Sequence, residues 1–144
     1  MKLITTLLVF FASIYSLFAG SFTEYPGATV DQKLTEKAQV ASDQAGASSS
    51  VKVFYTADGF EKVVDFYRGL GKEFKMGMPA QKLEDGTVIQ KAFIILDGAS
   101  DLGMSTDWLA IQNPLIGDFE FKDGKAIFID VRKNVTAIQR IWKK

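Results

Sequence analysis

The sequence predicts an α+β domain in which a mostly antiparallel sheet carries one principal amphipathic helix packed on one face. Three observations indicate this class. Residues 51–56 alternate as a strand does, an apolar stripe with helical spacing follows over residues 58–74, and the rest of the chain has strand-like segments joined by Asp-Gly turns. The predicted order is β-α-β-β-β, with an additional helix near the N-terminus left open.

The first 20 residues have the pattern of a secretory signal peptide. After Lys2 the chain is free of charge until Glu24, and the small residues Ala19, Gly20 and Ser21 stand where a signal peptidase would cleave. Cleavage after Ala19 and cleavage after Ser21 both fit. An uncleaved N-terminal anchor is the alternative, although a stable span needs about 20 apolar residues. We therefore expect a periplasmic or secreted protein with no stable membrane span once the signal is removed.

The composition divides the chain into three segments, which are the signal peptide (1–20), an N-terminal arm (21–50) and the α+β domain (51–144). In the arm, Thr29 is a candidate N-cap, and a narrow apolar edge that includes Leu34 and Ala38 follows it at helical spacing. This pattern predicts a helix over about 29–45, and a flexible arm is the alternative. The small residues 45–50 are typical of a linker.

The strongest pattern predicts a helix over about 58–74. Asp58 is a candidate N-cap, and Glu61 stands at the capping-box position. The apolar residues that recur at helical spacing are Phe60, Val63, Val64, Tyr67, Leu70 and Phe74. Such a stripe has to be buried, most simply against a sheet that contains the strand 51–56.

The remainder of the chain has the pattern of strands and turns. Two segments, Glu84-Asp85-Gly86 and Lys122-Asp123-Gly124, predict hairpin turns because glycine tolerates a positive φ. The predicted strands are 82–83, 87–96, 107–112, 119–121, 125–130 and 134–142. Residues 92–96 are expected to be the best buried, and a helix is the alternative for the last segment.

Three motifs occur in order along the first half of the exported chain: Tyr25-Pro26-Gly27-Ala28, Tyr55-Thr56-Ala57-Asp58 and Val63-Val64-Asp65-Phe66-Tyr67. This order resembles the YPGA…YTxD…VxxFY pattern of uncharacterised exported bacterial α+β proteins. The resemblance implies a helix packed on an antiparallel sheet and a periplasmic location. It implies no known activity, ligand or catalytic residue.

The composition excludes several kinds of chemistry. The sequence contains no histidine and no cysteine, which excludes Ser-His-Asp triads, Cys-His pairs, thiol redox chemistry and metal sites built on imidazole or thiolate. With 17 basic and 17 acidic residues the formal net charge is zero, so nothing directs the protein to nucleic acid. We predict no cofactor.

One loop contains three aspartates, Asp97, Asp101 and Asp107, that could act as a carboxylate pair or as calcium ligands. Their spacing is not that of an EF-hand, and nothing in it forces the side chains together. Solvated aspartates in turns are the simpler interpretation.

Aromatic residues provide the other candidate site. Trp108 and Trp142 lie in strand-like segments near polar neighbours, and Tyr55 lies on a strand where it or Phe54 must point away from the helix. The sequence therefore predicts a non-enzymatic domain that binds a periplasmic partner protein or a small ligand on the sheet face or loop rim away from the helix. The alternative is a small carboxylate-dependent hydrolase that uses the loop 97–107.

Overall fold

A computed structural model describes residues 22–144, and the predicted signal peptide, residues 1–20, lies outside the described residues. In the described part of the chain, no helix is long and apolar enough to cross a membrane. The elements in chain order are β1 (Thr29–Val30), α1 (Gln32–Gln44), β2 (Ser49–Thr56), α2 (Phe60–Arg68), β3 (Lys72–Phe74), β4 (Gln81–Lys82), β5 (Val88–Ile95), β6 (Asp107–Asn113), β7 (Leu115–Lys122), β8 (Lys125–Arg132) and β9 (Thr136–Lys143).

Seven of these strands form one sheet with the order β1-β2-β9-β6-β5-β3, and β4 pairs with β5. Every pairing in it is antiparallel. The prediction of an α+β fold with a mostly antiparallel sheet is therefore confirmed. The last strand, for which a helix was the alternative, lies between β2 and β6 in the middle of the sheet.

Helix α2 packs on one face of the sheet, which we call the helix face. Its side chains Val63, Val64 and Tyr67 are at most 1% exposed. They belong to one core cluster with Leu109 of β6 and Ile138 of β9, which are themselves fully buried. The apolar stripe seen in the sequence is thus the part of α2 that the sheet covers.

The predicted helix over 58–74 is wrong at its start. The N-cap is Gly59, and no side chain caps the helix there. The Asp58 carboxylate instead accepts a hydrogen bond from the Tyr25 hydroxyl at 2.6 Å and forms an ion pair with Lys62 at 3.0 Å. Asp58 therefore links the N-terminal segment, through Tyr25, to the helix, through Lys62.

The predicted helix is also too long at its end, because the chain turns into β3. A Cβ atom at Gly71 would lie 2.5 Å from the Ile95 carbonyl oxygen, so only glycine allows this close approach to β5. Leu70 consequently lies in the turn with 48% of its surface exposed, and Phe74 belongs to β3. The buried apolar stripe of α2 therefore ends at Tyr67.

The N-terminal segment completes the core on the helix face. The Phe22 ring is stacked on Tyr67 with centroids 6.2 Å apart, and Tyr25, 6% exposed, packs edge-on against Phe66 at 5.2 Å. The Tyr67 hydroxyl donates to the Thr23 carbonyl at 3.0 Å. Burial, reinforced by the hydrogen bond to Asp58, raises the pKa of Tyr25 to about 12.

Helix α1 lies along strand β2 and satisfies the outer edge of that strand. Asp31, and not Thr29, caps the helix, because its carboxylate accepts from the Leu34 N–H at 2.9 Å while Thr29 belongs to β1. The Val53 N–H donates to the Thr35 hydroxyl at 2.9 Å.

One turn further along α1, Gln39 bridges two more backbone groups of β2. Its amide oxygen accepts from the Val51 N–H at 2.8 Å, and its amide nitrogen donates to the Ser49 carbonyl at 2.9 Å. Side chains four residues apart on a helix thus take the place of a neighbouring strand. Ser49 and Ser50, which the sequence placed in a linker, belong to β2.

Strands β7 and β8 form a separate two-stranded ribbon. It follows a cis Asn113–Pro114 bond, and its base is fastened by a hydrogen bond from the Leu115 N–H to the Val135 carbonyl at 2.9 Å. An ion pair between Arg132 and Asp31 at 3.1 Å ties it to the start of α1. Toward the turn the ribbon is exposed.

Replacing a buried residue of α2 by aspartate tests the packing on the helix face. Val64→Asp or Tyr67→Asp would place an unpaired carboxylate against the sheet, and we expect the free energy of unfolding to fall by about 3 kcal/mol or more. Leu70→Asp is the control, because Leu70 is exposed and its replacement should lower the free energy of unfolding by less than about 1 kcal/mol. Urea unfolding followed by circular dichroism measures all three, and an equal loss in the control would contradict the assignment.

Removing the side chains that satisfy β2 tests the role of α1. The double variant Thr35→Ala, Gln39→Ala leaves buried backbone groups of β2 without partners, so we expect a loss of about 1 to 3 kcal/mol in unfolding free energy. We also expect more self-association, measured by light scattering, because a strand edge becomes available. Gln32→Ala, which removes only the exposed hydrogen bond to Glu36, should change neither quantity.

Candidate functional site

The carboxylate of Asp97 braces its own loop. It accepts hydrogen bonds from the Thr106 N–H at 2.5 Å, from the Thr106 hydroxyl at 2.9 Å and from the Ser105 hydroxyl at 2.9 Å. Partial desolvation acts to raise the pKa of Asp97, but these hydrogen bonds outweigh it and lower the pKa to about 2. A carboxylate held in its ionised form in this way is unsuited to donate a proton at neutral pH.

The other two aspartates of the segment have different partners. Asp107 forms two hydrogen bonds with the Arg140 guanidinium, at 2.8 and 3.0 Å, and Asp101 accepts from the Met104 N–H at 3.1 Å. Arg140 lies over the rings of Phe22 and Trp142, 4.6 Å from each centroid. Within residues 22–144 no three acidic side chains are grouped so that they could hold a metal ion. The structure does not bring the three aspartates together as one site.

The two tryptophans lie on opposite faces of the sheet at one end of neighbouring strands. Trp108 packs against Phe93 with centroids 6.2 Å apart, whereas Trp142 shares the helix face with Leu109. Both line a shallow cavity of about 260 Å³ at this end of the sheet. Tyr55 is near the other end of β2, paired with Thr29 and Ala137. The three predicted aromatic residues therefore do not form one surface.

A larger cavity, of about 470 Å³, lies where the edge of β5 is interrupted. Strand β3 pairs with β5 at residues 93–95, and β4 pairs with it only at residues 88–89. Between the two, residues 75–80 leave the sheet, and the cavity opens between this loop, β5 and the start of α2. We call it the β5-edge cavity.

Apolar side chains make up most of the wall of the β5-edge cavity. Met76 and Met78 keep 40% and 54% of their surface exposed, and Val88 keeps 45%. Methionine is flexible and polarisable, so it adapts to ligands of different shape. The apolar residues that line the cavity are Phe60, Phe74, Met76, Met78, Pro79, Ala80, Val88, Ile89, Ala92 and Phe93. None of the three aspartates is among them.

Three charged side chains line the β5-edge cavity, Glu73, Lys75 and Lys91, and they give it a positive rim with a net charge of one. Lys75 forms an ion pair with Glu73 at 2.8 Å, and Arg68 contacts the same carboxylate at 2.7 Å. The hydrogen bond from Arg68, followed by that from Lys75, lowers the pKa of Glu73 and keeps it ionised. Lys91 donates at 3.0 Å to Gln81, which is neutral, so its charge is available to an anionic ligand.

Sequence reasoning missed the β5-edge cavity because it predicts no element and no site between the helix that ends near residue 74 and the strand at 82–83. One signal could have revealed it. Met76 and Met78 stand two residues apart around Gly77, just before Pro79, and this spacing fits neither a helical stripe nor a loop made only of polar residues.

We compared the chain with protein-family models, with curated proteins and with solved structures, and none of the three comparisons found a match.

Proposed function

We propose that this chain is an exported, non-enzymatic binding domain whose ligand is a small molecule with an apolar body and one anionic group. The observation that carries the proposal is the β5-edge cavity. Its volume of about 470 Å³ lies within the range of about 300 to 1,000 Å³ that is typical of small-molecule sites. A mainly apolar wall with a few polar groups at its rim is also typical of such sites.

The methionines of the loop supply the adaptable part of the site. In the free protein, Met76 and Met78 expose apolar surface to water. A ligand that covers this surface would gain about 25 cal/mol of binding free energy for each Å² buried. The fixed part is β5, where Ile89 and Ala92 are each 5% exposed and hold the inner wall. A ligand would therefore lie between a buried strand and a loop that carries adaptable methionine side chains.

The positive rim selects the charge of the ligand. Lys91 has only a neutral partner, and Lys75 shares its carboxylate with Arg68. An anionic group at this rim would gain a charge-assisted hydrogen bond without displacing an existing ion pair from Lys91. The apolar body and the anionic group together describe amphipathic anions, such as small acyl or aromatic acids.

The alternative, a carboxylate-dependent hydrolase, would use the loop 97–107. Its three aspartates are engaged with Thr106, with Met104 and with Arg140. These contacts support the binding proposal over the hydrolase, because a general acid must be free to carry and release a proton.

Titration with anilinonaphthalene sulfonate, an apolar anion, tests the site. We expect saturable binding that Met78→Asp weakens at least about tenfold, since it adds a negative charge to an apolar wall. Met104→Asp is the matched control, because Met104 is 71% exposed and does not line the cavity. Lys91→Gln should weaken the binding of the anionic dye but not the binding of a neutral apolar dye. Absence of saturable binding, or the same loss in Met104→Asp, would contradict the site.

Export is tested by the mass of the protein recovered outside the cytoplasm of a bacterial host. We expect the chain to begin near Gly20 or Phe22, because cleavage is predicted after Ala19 or Ser21. Replacing Ala19 by a bulky residue should shift or block cleavage, whereas the same replacement at Ala28 should not. Recovery of a chain that still begins at Met1 would rule out a cleaved signal.

A further inference from the structure

The ribbon of β7 and β8 presents an exposed aromatic pair near its turn. Phe119 and Phe121 are 54% and 73% exposed, and their rings meet edge-on with centroids 5.5 Å apart. They lie on the same face because they are two residues apart on one strand. More than half of each side chain is left uncovered by the described residues, and such a pair is typical of an interaction surface.

The outer backbone edge of β7 is open at the same place. Strand β7 pairs only with β8 in the described residues. The Phe119 N–H, which points away from β8, donates at 2.8 Å to the carboxylate of its neighbour Asp118. Lys37 contacts the Gly117 carbonyl at 3.3 Å and forms an ion pair with the Asp118 carboxylate at 2.5 Å, so the open edge begins after Asp118.

The outer backbone edge of β8 is less accessible to an additional strand than that of β7. Residues 126–128 of β8 and residues 82–85 of the β4–β5 turn line a common cavity of about 310 Å³. Lys133, just after β8, also forms an ion pair with Asp85 of that turn. An additional strand would therefore meet β7 more readily than β8.

We propose that this edge of β7 pairs with the same edge of a second copy of the chain, antiparallel, about a two-fold axis through Glu120. In this register Phe119 lies opposite Phe121 of the second copy, and Asp118 lies opposite Lys122 of the second copy. Each of these pairs occurs twice. Facing aromatic rings and opposite charges both stabilise antiparallel strand pairs.

The argument for a second copy is the self-complementary order of residues 118–122. A two-fold axis requires that the same segment fit itself. Acidic Asp118 and basic Lys122 are equally distant from Glu120, as are the two phenylalanines. The Phe119 N–H would exchange its local bond to Asp118 for a ladder bond. The Asp118 carboxylate, which forms an ion pair with Lys37 of its own chain at 2.5 Å, would then lie between Lys37 and Lys122 of the second copy.

One pair of like charges opposes the dimer, because Glu120 lies opposite Glu120 of the second copy. Two Asp118 and two Lys122 side chains flank that pair on the same face, so their charges cancel and the repulsion between the two Glu120 side chains remains. The contact is small, so we expect a dissociation constant in about the micromolar range. The proposal involves none of the residues of the β5-edge cavity, so the two can fail separately.

Sedimentation velocity of the purified protein over a range of concentrations tests the dimer. We expect Phe121→Ser to raise the dissociation constant at least about tenfold. Glu120→Gln should lower it, because the like-charged pair is removed, and a misfolded variant would not give that result. Met104→Ser, at an exposed apolar residue outside the ribbon, should leave the dissociation constant unchanged. A chain that stays monomeric up to about 1 mM, or a dimer that Phe121→Ser does not weaken, would overturn the proposal.

Cysteine cross-linking tests the register, since the sequence contains no cysteine. Across the proposed axis the Cβ atoms of the two Glu120 residues would lie about 4.5 to 5.5 Å apart, close to disulfide distance. Oxidation of Glu120→Cys should therefore give a covalent dimer. Glu84→Cys, exposed in the β4–β5 turn, should give none. Equal cross-linking of the two variants would show random collision and overturn the register.

Discussion

The sheet depends on the pairing of its last strand. In the described residues, β2 pairs only with β1 and β9, and β6 pairs only with β5 and β9, so β9 is the one strand that joins the two halves of the sheet. Ile138 and Thr136 of β9 are fully buried. The Thr136 hydroxyl accepts from the Asn113 side chain at 2.9 Å and donates to the Asp58 carbonyl at 2.7 Å. One strand thus connects the end of β6 with the entry to α2, and the sheet is incomplete until β9 has paired.

With β9 in the centre, the two edges of the sheet are left to other parts of the chain, and they are treated differently. At β2, Thr35 and Gln39 of α1 occupy the backbone groups that a further strand would need. At β5, the short strands β3 and β4 cover the two ends and leave a gap, over which the loop 75–80 forms a cavity. The first edge is closed by polar side chains. The second is left open where pairing is interrupted, and we propose a ligand there.

Local patterns in the sequence predicted most of the elements, although not β1 or β3, and they did not indicate which elements would be neighbours. The buried stripe of α2 and the turns at Gly86 and Gly124, both with positive φ, could be recognised because each is encoded by adjacent residues. The end of α2 could not be located, because it depends on the distance between Gly71 and the Ile95 carbonyl, which are far apart in sequence. For the same reason no pattern showed that β9 would be central. A strand pattern indicates which face is buried but not which strand lies beside it.

The same distinction explains why the predicted site residues were dispersed. Trp108, Trp142 and Tyr55 were selected by residue type, and residue type alone does not indicate exposure, because tryptophan and tyrosine are often half-buried parts of a core. The exposed apolar side chains that need an explanation are those that occur in pairs where the backbone leaves the main sheet, at Met76 with Met78 and at Phe119 with Phe121. Polar residues at these positions would cost the fold little, since between 40% and 73% of the surface of each residue is exposed. Packing therefore does not account for them, and this is why we propose a ligand at the first pair and a second copy of the chain at the other.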